Sequence, residues 1–446
     1  MDILELKEII QSNGIVGAGG AGFPSYAKLN DGIDTIILNC AECEPLLKLH
    51  QQLLALKANE IVNTLNFIAE IIGAKEVVIA TKGCYIKTVE AVQEAIEGRS
   101  FYANTRISFL PEIYPAGDEI ITIYESTGRI VKPGKLPLSV GVIVYNVETI
   151  YNVYKALFES KPVTHKYITI TGEVNEPKTI KVPIGITFDE VIKLVGGATI
   201  ENPAYIHGGP MTGKLVKGID VVTKTSNGLL VLPQDQYIVR KKNQNIAISV
   251  KRAKSVCCQC NRCTEMCPRN VIGYPIEPHA VMRNVMVVNT ADIQSSLNTF
   301  FCSQCGICEM YACEQSLSPQ TLINECRVQL RNNGIIAPKD IELSKINEFR
   351  KERMISVERL KARLGLSKYD IPAPLSFEEI TTKQVKIKLS QHIGIPSMPV
   401  VEKGILVEEG QVIARAKENS LSVPCHSSMS GIVLDVNEKY IIIGKR

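Results

Sequence analysis

The sequence predicts a multidomain protein of mixed α/β and α+β class, on three observations. Strand-like and helix-like segments alternate over residues 1–160, glycine- and proline-punctuated short strands fill 163–232 and 383–446, and nine of the 14 cysteines crowd between positions 257 and 313. A chain of 446 residues is too long for one hydrophobic core and implies about three or four domains. With 45% apolar and 22% charged residues, the composition is that of an ordinary soluble globular protein. Fifty basic against 46 acidic residues leave a formal charge of +4, too even a balance for a nucleic-acid footprint. The start, MDILELKEII, carries an acid where a signal peptide needs a basic region, and no window approaches about 18 uncharged apolar residues. The expected location is cytoplasmic.

In the first region, TIILN (35–39), EVVIAT (76–81), RISFLP (106–111) and VGVIVYN (140–146) are β-branched runs suited to buried strands. Between the first two runs a long helical stretch ends at Gly73, a natural stop. Together these make an α/β layer domain over 1–160. Next, KYITITGEVNEPKTIKVPIGITFDEVIKLVGG gives two strands around a turn holding Gly172 and Pro177, then a helix capped by Gly196, an α+β module over 163–232. QDQYIVRKKNQN (234–245) reads as a polar connector. Residues 246–335 hold the cysteines among helical segments, and 336–382 read as a helical connector. Within it, EFRKERMISVERLKARLGL mixes basic and apolar positions at helical spacing, as an amphipathic helix packing on its own domain or docking a partner. The short strands of 383–446 suggest a compact β-sandwich.

The cysteines carry the most specific signal. Cys257-x2-Cys260-x2-Cys263-x3-Cys267-Pro268 matches the bacterial two-cluster pattern, and Cys302-x2-Cys305-x2-Cys308-x4-Cys313 follows, Cys302 standing 35 positions beyond Cys267. In that pattern each triplet serves one cluster and the fourth thiolate crosses over from the other run. Cys257, Cys260, Cys263 and Cys313 are thus the expected ligands of one [4Fe-4S] cluster, and Cys302, Cys305, Cys308 and Cys267 those of a second. Zinc ribbons use two pairs of ligands rather than two triplets each followed by a single cysteine. The helical material between the runs points to an α-helical ferredoxin domain. Cys258 reads as a bystander, and Cys40, Cys43, Cys84, Cys326 and Cys425 as small buried hydrophobes.

GIVGAGGAGFPSYAK (14–28) satisfies Gly-x-Gly-x-x-Gly, yet a Rossmann loop must follow a strand and open a long helix. Here a helical pattern, ILELKEIIQSNG, precedes the glycines, and only a short turn follows Pro24. A plain tight turn needs one or two glycines, not four. Bare backbone lets a phosphate or an aromatic ring approach closely, and Lys28 can add a point charge.

These motifs, with NxAExEP (Asn39, Ala41, Glu42, Glu44, Pro45), YPAGDE (Tyr114–Glu119) and NVET (Asn146–Thr149), resemble the FMN- and NADH-binding subunit of respiratory complex I and the C subunit of the Rnf ion-pumping complex. The resemblance implies that Gly17, Gly19, Gly20 and Gly22 cradle FMN, that Lys28 meets its phosphate, and that Phe23 stacks on the nicotinamide nucleotide. It sets Asn39, Glu42, Glu44, Gly117, Asp118, Glu119 and Asn146 near the flavin and ribose, and leaves Tyr114 between packing and flavin contact. The alternatives are helix N-terminal charges for Asp118 and Glu119, a strand-end acid for Glu42 and a surface lysine for Lys28. Residues 163–232 are similar to the family's SLBB β-grasp domain, and the terminal module to its barrel-sandwich hybrid. Ser428-Met429-Ser430 at the tip of that module offers no lysine for biotin or lipoate. The sequence departs from the family at Tyr145, where a second asparagine is usual, and at Glu314, where proline is expected. The terminal position of the sandwich, with GGPMTG, most resembles the cobalamin reductases of propanediol-utilisation microcompartments. That likeness implies electrons passing from NADH through FMN and the clusters to corrinoid cobalt, with a cobalamin adenosyltransferase and a microcompartment shell protein as partners. Two other readings stay open: a subunit reducing ferredoxin or another reductase, and a flavin-less iron–sulfur conduit at a shell.

Overall fold

A computed structural model describes residues 1–286 and 292–445. The chain opens with α1 (Ile3–Ser12), capped by Asp2 in a capping box with Glu5. The first region then runs β1 (Thr35–Cys40), α2 (Leu49–Leu56), α3 (Ala58–Ile72), β2 (Glu76–Lys82), α4 (Ile86–Ile96), β3 (Asn104–Leu110), β4 (Ile113–Tyr114), α5 (Glu119–Thr127), β5 (Val142–Asn146) and α6 (Val147–Phe158). Four of these strands form a parallel sheet in the order β3-β2-β1-β5. Every residue of β1 is buried, as a central parallel strand covered on both faces requires. The single helical stretch expected before Gly73 is two helices that meet at Lys57, and Gly73 ends the second in left-handed geometry (φ 73°).

One sheet face packs on the surrounding helices of the same region. The other face shares a core with the cysteine region: Ile37, Val78 and Val144 lie in one cluster with Val271, Ile276 and Phe301. The cysteine module is thereby fixed to the first region by buried apolar contact.

The second region comprises β6 (His165–Gly172), β7 (Lys178–Pro183), α7 (Phe188–Lys193), β8 (Ala204–His207), β9 (Lys214–Val216) and β10 (Gly228–Leu232), in a sheet of order β7-β6-β10-β8-β9. The expected cap on α7 is displaced: the helix stops at Lys193 with Leu194 as its C-cap, and Gly196 lies beyond it. The polar connector expected at 234–245 contains a helix, α8 (Tyr237–Lys242), whose Ile238 and Val239 are buried. The side-chain amide of Gln236 stands in as its N-cap, and two apolar residues suffice because the helix packs into an existing core with Leu360 and Leu364.

The cysteine module holds α9 (Ile246–Val256), α10 (Arg262–Glu265), α11 (Pro268–Val271), α12 (Pro278–Met286), α13 (Ile293–Leu297) and α14 (Pro319–Asn332). The helical connector expected at 336–382 is mostly irregular. It contributes a two-residue strand, β11 (Ile355–Ser356), one short α-helix, α15 (Val357–Arg363), and a 3-10 turn at Ser367–Tyr369, in place of a long amphipathic helix. β11 pairs with β4, Ile355 opposite Tyr114. Ser356 then caps α15 by accepting from the Arg359 N–H at 3.3 Å, so the helix begins there rather than earlier. The terminal sandwich comprises β12 (Gln384–Lys388), β13 (Met398–Pro399), β14 (Leu406–Val407), β15 (Val412–Arg415), β16 (Cys425–His426), β17 (Gly431–Val436) and β18 (Tyr440–Gly444), in two sheets of order β12-β18-β17-β14 and β13-β15-β16. Among the described residues no helix is long and apolar enough to cross a membrane.

Candidate functional site

The glycine loop follows α1 and returns on itself: the Gly17 N–H donates to the Phe23 carbonyl at 2.9 Å, and Val16 bridges Pro24. Thr149 of the NVET motif takes the Ala18 N–H at 3.0 Å. A Cβ on Gly19 would stand 2.7 Å from Asn146 Nδ2 and 2.9 Å from His50 Cε1, whereas one on Gly20 would meet nothing within 4 Å. Gly22 has φ +74° and lies against Thr225 and Gln391, so the second region and the terminal sandwich both close on the loop. Below it, Lys224 Nζ donates to the Gly14 and Pro424 carbonyls at 2.7 and 2.8 Å.

The motif residues divide by what they touch. Lys28 Nζ donates to the Val144 carbonyl at 2.7 Å and pairs with Glu119 at 3.2 Å. Asn146 stands at the start of α6 without a side-chain capping bond, leaving its amide beside Gly19. Asn39 donates to the Gly117 carbonyl at 2.9 Å and accepts from the Ala41 N–H at 3.1 Å, stapling that turn. The turn is tight at Gly117, where a Cβ would sit 3.1 Å from Cys43 Sγ. Burial pushes the Cys43 thiol up to about 12. Glu42 accepts from the His50 and Gln51 N–H groups at 2.8 and 3.2 Å. Desolvation nevertheless holds its carboxyl above the ordinary value.

Glu44 is held by the second region. It accepts from the Met211 and Thr212 N–H groups, both at 2.9 Å, and from Thr212 Oγ1 at 2.6 Å, all in GGPMTG. Tyr114 is buried, and its hydroxyl donates to the Cys305 carbonyl at 2.7 Å. This bond seats Tyr114 against the cysteine module. Asp118 caps α5, accepting from the Ile120 and Ile121 N–H groups, and also takes Arg269 Nη2 at 2.8 Å. Both partners of that ion pair are mostly buried.

The two cysteine runs have one backbone design. In C-x-Q-C the glutamine is left-handed both times (Gln259 φ 54°, Gln304 φ 60°), and the residue after the second cysteine is left-handed again (Asn261 φ 65°, Gly306 φ 81°). Successive turns of this kind aim N–H groups inward and build an anion-binding nest. The Gln304 N–H reaches Cys302 Sγ and the Leu317 N–H reaches Cys313 Sγ, both at 3.4 Å. Sulfur neighbours group the cysteines: burial and the sulfurs of Cys313, Cys260 and Cys257 push the Cys263 thiol up to about 12. Burial and the sulfurs of Cys302, Cys305, Cys267 and Cys263 raise Cys308. Cys257, Cys260, Cys263 and Cys313 line a cavity of ≈ 70 Å³ with His279 and Met282. Cys260 is exposed while Cys267 and Cys308 are buried, so the second quartet is the inner one, beside Tyr114. Lys241 of α8 holds the segment after Cys313 by donating to the Ser316 and Leu317 carbonyls at 3.0 and 2.9 Å. Glu314, standing where proline was expected, pairs with Arg262. Of the five cysteines expected to be buried, Cys40 and Cys425 are, Cys43 and Cys326 are partly exposed, and Cys84 is exposed, as is the bystander Cys258.

These observations fit the implied groups. Open space over Gly20 and the unpartnered, buried His50 Nε2 beside Gly19 suit a planar polar ligand held against bare backbone. Crowded thiols with N–H···S contacts suit iron–sulfur clusters, whose reduction potentials respond to such bonds. Among the described residues no three His, Cys, Asp or Glu side chains could hold one metal ion. A separate open cleft of ≈ 920 Å³ lies between α1 and residues 412–424. Sequence reasoning missed His50, Lys224, Thr225 and Arg269. Of these only Arg269 had a local signal, its place two residues after Cys267.

Four families match successive parts of the chain: the Nuo51 FMN-binding domain over 10–155, the SLBB domain over 167–215, a 4Fe-4S dicluster domain over 256–318 and the RnfC barrel sandwich hybrid domain over 376–446. The fold is similar to a chain of an NAD+-reducing [NiFe]-hydrogenase, with a TM-score of 0.50 and 15% identity, covering 79% of this chain and 66% of that one. The C subunit of a proton-translocating ferredoxin:NAD(+) oxidoreductase from Clostridium ljungdahlii is 33% identical over 277 residues, 61% of this chain and 57% of that protein. Cobalamin reductase PduS of Citrobacter freundii is 39% identical over 445 residues, 99% of this chain and 97% of that protein. The Salmonella typhimurium protein of that name is 39% identical over 442 residues, 98% and 96% of the two chains. A likeness that runs through all four modules from end to end places the chain in the PduS cobalamin reductase family.

Proposed function

We propose that this chain is an NADH-dependent oxidoreductase that delivers electrons to the cobalt of a corrinoid. Gly17, Gly19, Gly20 and Gly22 hold FMN, with Asn146 at its edge, Lys28 toward its phosphate and Phe23 against the nicotinamide. Cys257, Cys260, Cys263 and Cys313 hold the outer [4Fe-4S] cluster, and Cys302, Cys305, Cys308 and Cys267 the inner one. The observation that carries the reading is the 39% identity to cobalamin reductases over 99% of the chain. When bound, FMN supplies the exchange between two-electron hydride chemistry and one-electron transfer, and the protein contributes placement and electrostatics. Its own residues keep the modules in fixed relation: Asp118 takes Arg269, and Tyr114 takes the Cys305 carbonyl. Asn39, Glu42, Gly117 and Glu119 shape the wall of the flavin pocket, while Glu44 binds the GGPMTG loop to it. The domain divisions 1–160, 163–232, 246–335, 336–382 and 383–446 belong to the same reading, as do a place within a bacterial microcompartment and partnership with an adenosyltransferase and a shell protein.

The test is anaerobic NADH oxidation by purified, flavin-loaded protein with cob(III)alamin, ferredoxin and an artificial dye offered in parallel. Cob(III)alamin reduction at a rate near that of the dye is expected. Reduction of ferredoxin alone would support the other reading, an electron-transfer subunit of the kind found in the Clostridium complex.

A further inference from the structure

The two C-x-Q-C turns contain a feature that ligand spacing does not require. Gln259 and Gln304 both adopt left-handed backbone, φ 54° and 60°, which glycine or asparagine tolerates far better than a long side chain. The chain does use asparagine and glycine two residues later, at Asn261 and Gly306. At the glutamine positions it keeps a strained residue twice, and strain kept at a site points to a use for the side chain. That side chain does the same thing in both runs: Gln259 Nε2 donates to Cys257 Sγ at 3.3 Å, and Gln304 Nε2 donates to Cys302 Sγ at 3.3 Å. The Gln259 amide is further held by the His279 carbonyl, 3.4 Å from its Nε2, and the Gln304 turn by its main-chain carbonyl, which accepts from Gln320 Nε2 at 2.7 Å.

We infer that Gln259 and Gln304 are matched positioning residues that set the reduction potentials of the two clusters through amide bonds to the first cysteine of each triplet. The inference rests on reading these cysteines as cluster ligands. An N–H donated to a ligand sulfur favours the more negative, reduced cluster, so each glutamine raises the potential of its own cluster. Glycine is the informative replacement, since it relieves the left-handed strain while removing the amide.

The experiment is an EPR-monitored redox titration of intact protein and of Gln259→Gly and Gln304→Gly, with iron, sulfide and unfolding midpoint measured on each. Each variant should keep its full iron and shift one cluster to a more negative potential, leaving the other in place. A tenfold change in the redox equilibrium reads as 59 mV for one electron. Unchanged potentials at full iron content would overturn the inference, as would loss of iron in the glycine variants, which would make the amides structural. Wild-type protein unable to hold two clusters' worth of iron would instead fail the ligand reading itself.

Discussion

Replacing Gly20 by valine separates flavin binding from folding. A Cβ at Gly20 meets no protein atom within 4 Å, and Gly20 is not among the left-handed glycines. The new side chain therefore meets neither clash nor backbone strain, and stability should move by no more than about 0.5 kcal/mol. The space it enters is where the flavin is proposed to lie. Overpacking of this kind costs typically about 1–3 kcal/mol, which weakens binding by roughly 5- to 150-fold. Gly19→Ala is the contrast: its Cβ lands 2.7 Å from Asn146 Nδ2 and 2.9 Å from His50 Cε1, so it displaces protein atoms and disturbs binding and folding together. FMN titration of flavin-depleted protein, followed by fluorescence quenching, reads the affinity, with iron content and far-UV unfolding as controls. Valine at Gly20 with wild-type FMN affinity would refute the placement of the flavin on this loop.

Cys313→Ser should remove about half of the bound iron and Cys258→Ser none; equal losses, measured by iron and sulfide assay, would show that the crossing ligand is misassigned. Lys166 and Glu148 form an ion pair in which each side chain is 1% exposed, so Glu148→Ala strands a buried ammonium and should destabilise by about 3–5 kcal/mol in urea unfolding. Far-UV circular dichroism suits that measurement because the chain has no tryptophan. Burial, then the charge of Lys166, holds the His50 imidazole down to about 3; burial, then Lys224, does the same at His426. Both groups stay neutral in the folded chain while the unfolded chain protonates near pH 6.5. Their contribution is thus intact above about pH 6.5 and is lost as pH falls toward 3, at up to about 1.4 kcal/mol per unit for each histidine. His426→Gln should flatten the dependence of unfolding free energy on pH between 6 and 4.5 by about that amount; parallel curves would rule this out.

The parallel sheet was legible because β1, β2 and β5 are continuous apolar runs, the pattern of strands covered on both faces. The cysteine runs were legible because ligand spacing is a local property. What local pattern does not carry is capture across the chain. Nothing near Glu44 announces that the Met211 and Thr212 N–H groups will donate to its carboxylate from 167 and 168 residues away. Lys224 sits in an unremarkable stretch, yet reaches Gly14 and Pro424 from a third module. The short elements failed for another reason. α8 buries only Ile238 and Val239 of its apolar residues, with Tyr237 partly covered, inside a polar run, and β11 is two residues long, below the length at which periodicity distinguishes strand or helix.

The coupling between modules follows from where YPAGDE lies. Tyr114 at one end reaches the Cys305 carbonyl, Asp118 reaches Arg269 just past Cys267, and Glu119 reaches Lys28 beneath the glycine loop. Three residues within six positions therefore tie the inner cysteine quartet to Lys28 and the segment that follows the glycine loop. A largely buried ion pair such as Asp118–Arg269 adds little net stability, because desolvation offsets much of its attraction; its value lies in fixing geometry. The apolar cluster shared by the sheet and residues 271–301 supplies the cohesion that the ion pair does not. Cohesion and alignment are thus assigned to different residues, so a change at Asp118 or Arg269 can alter how the two sites face each other while leaving the domains assembled.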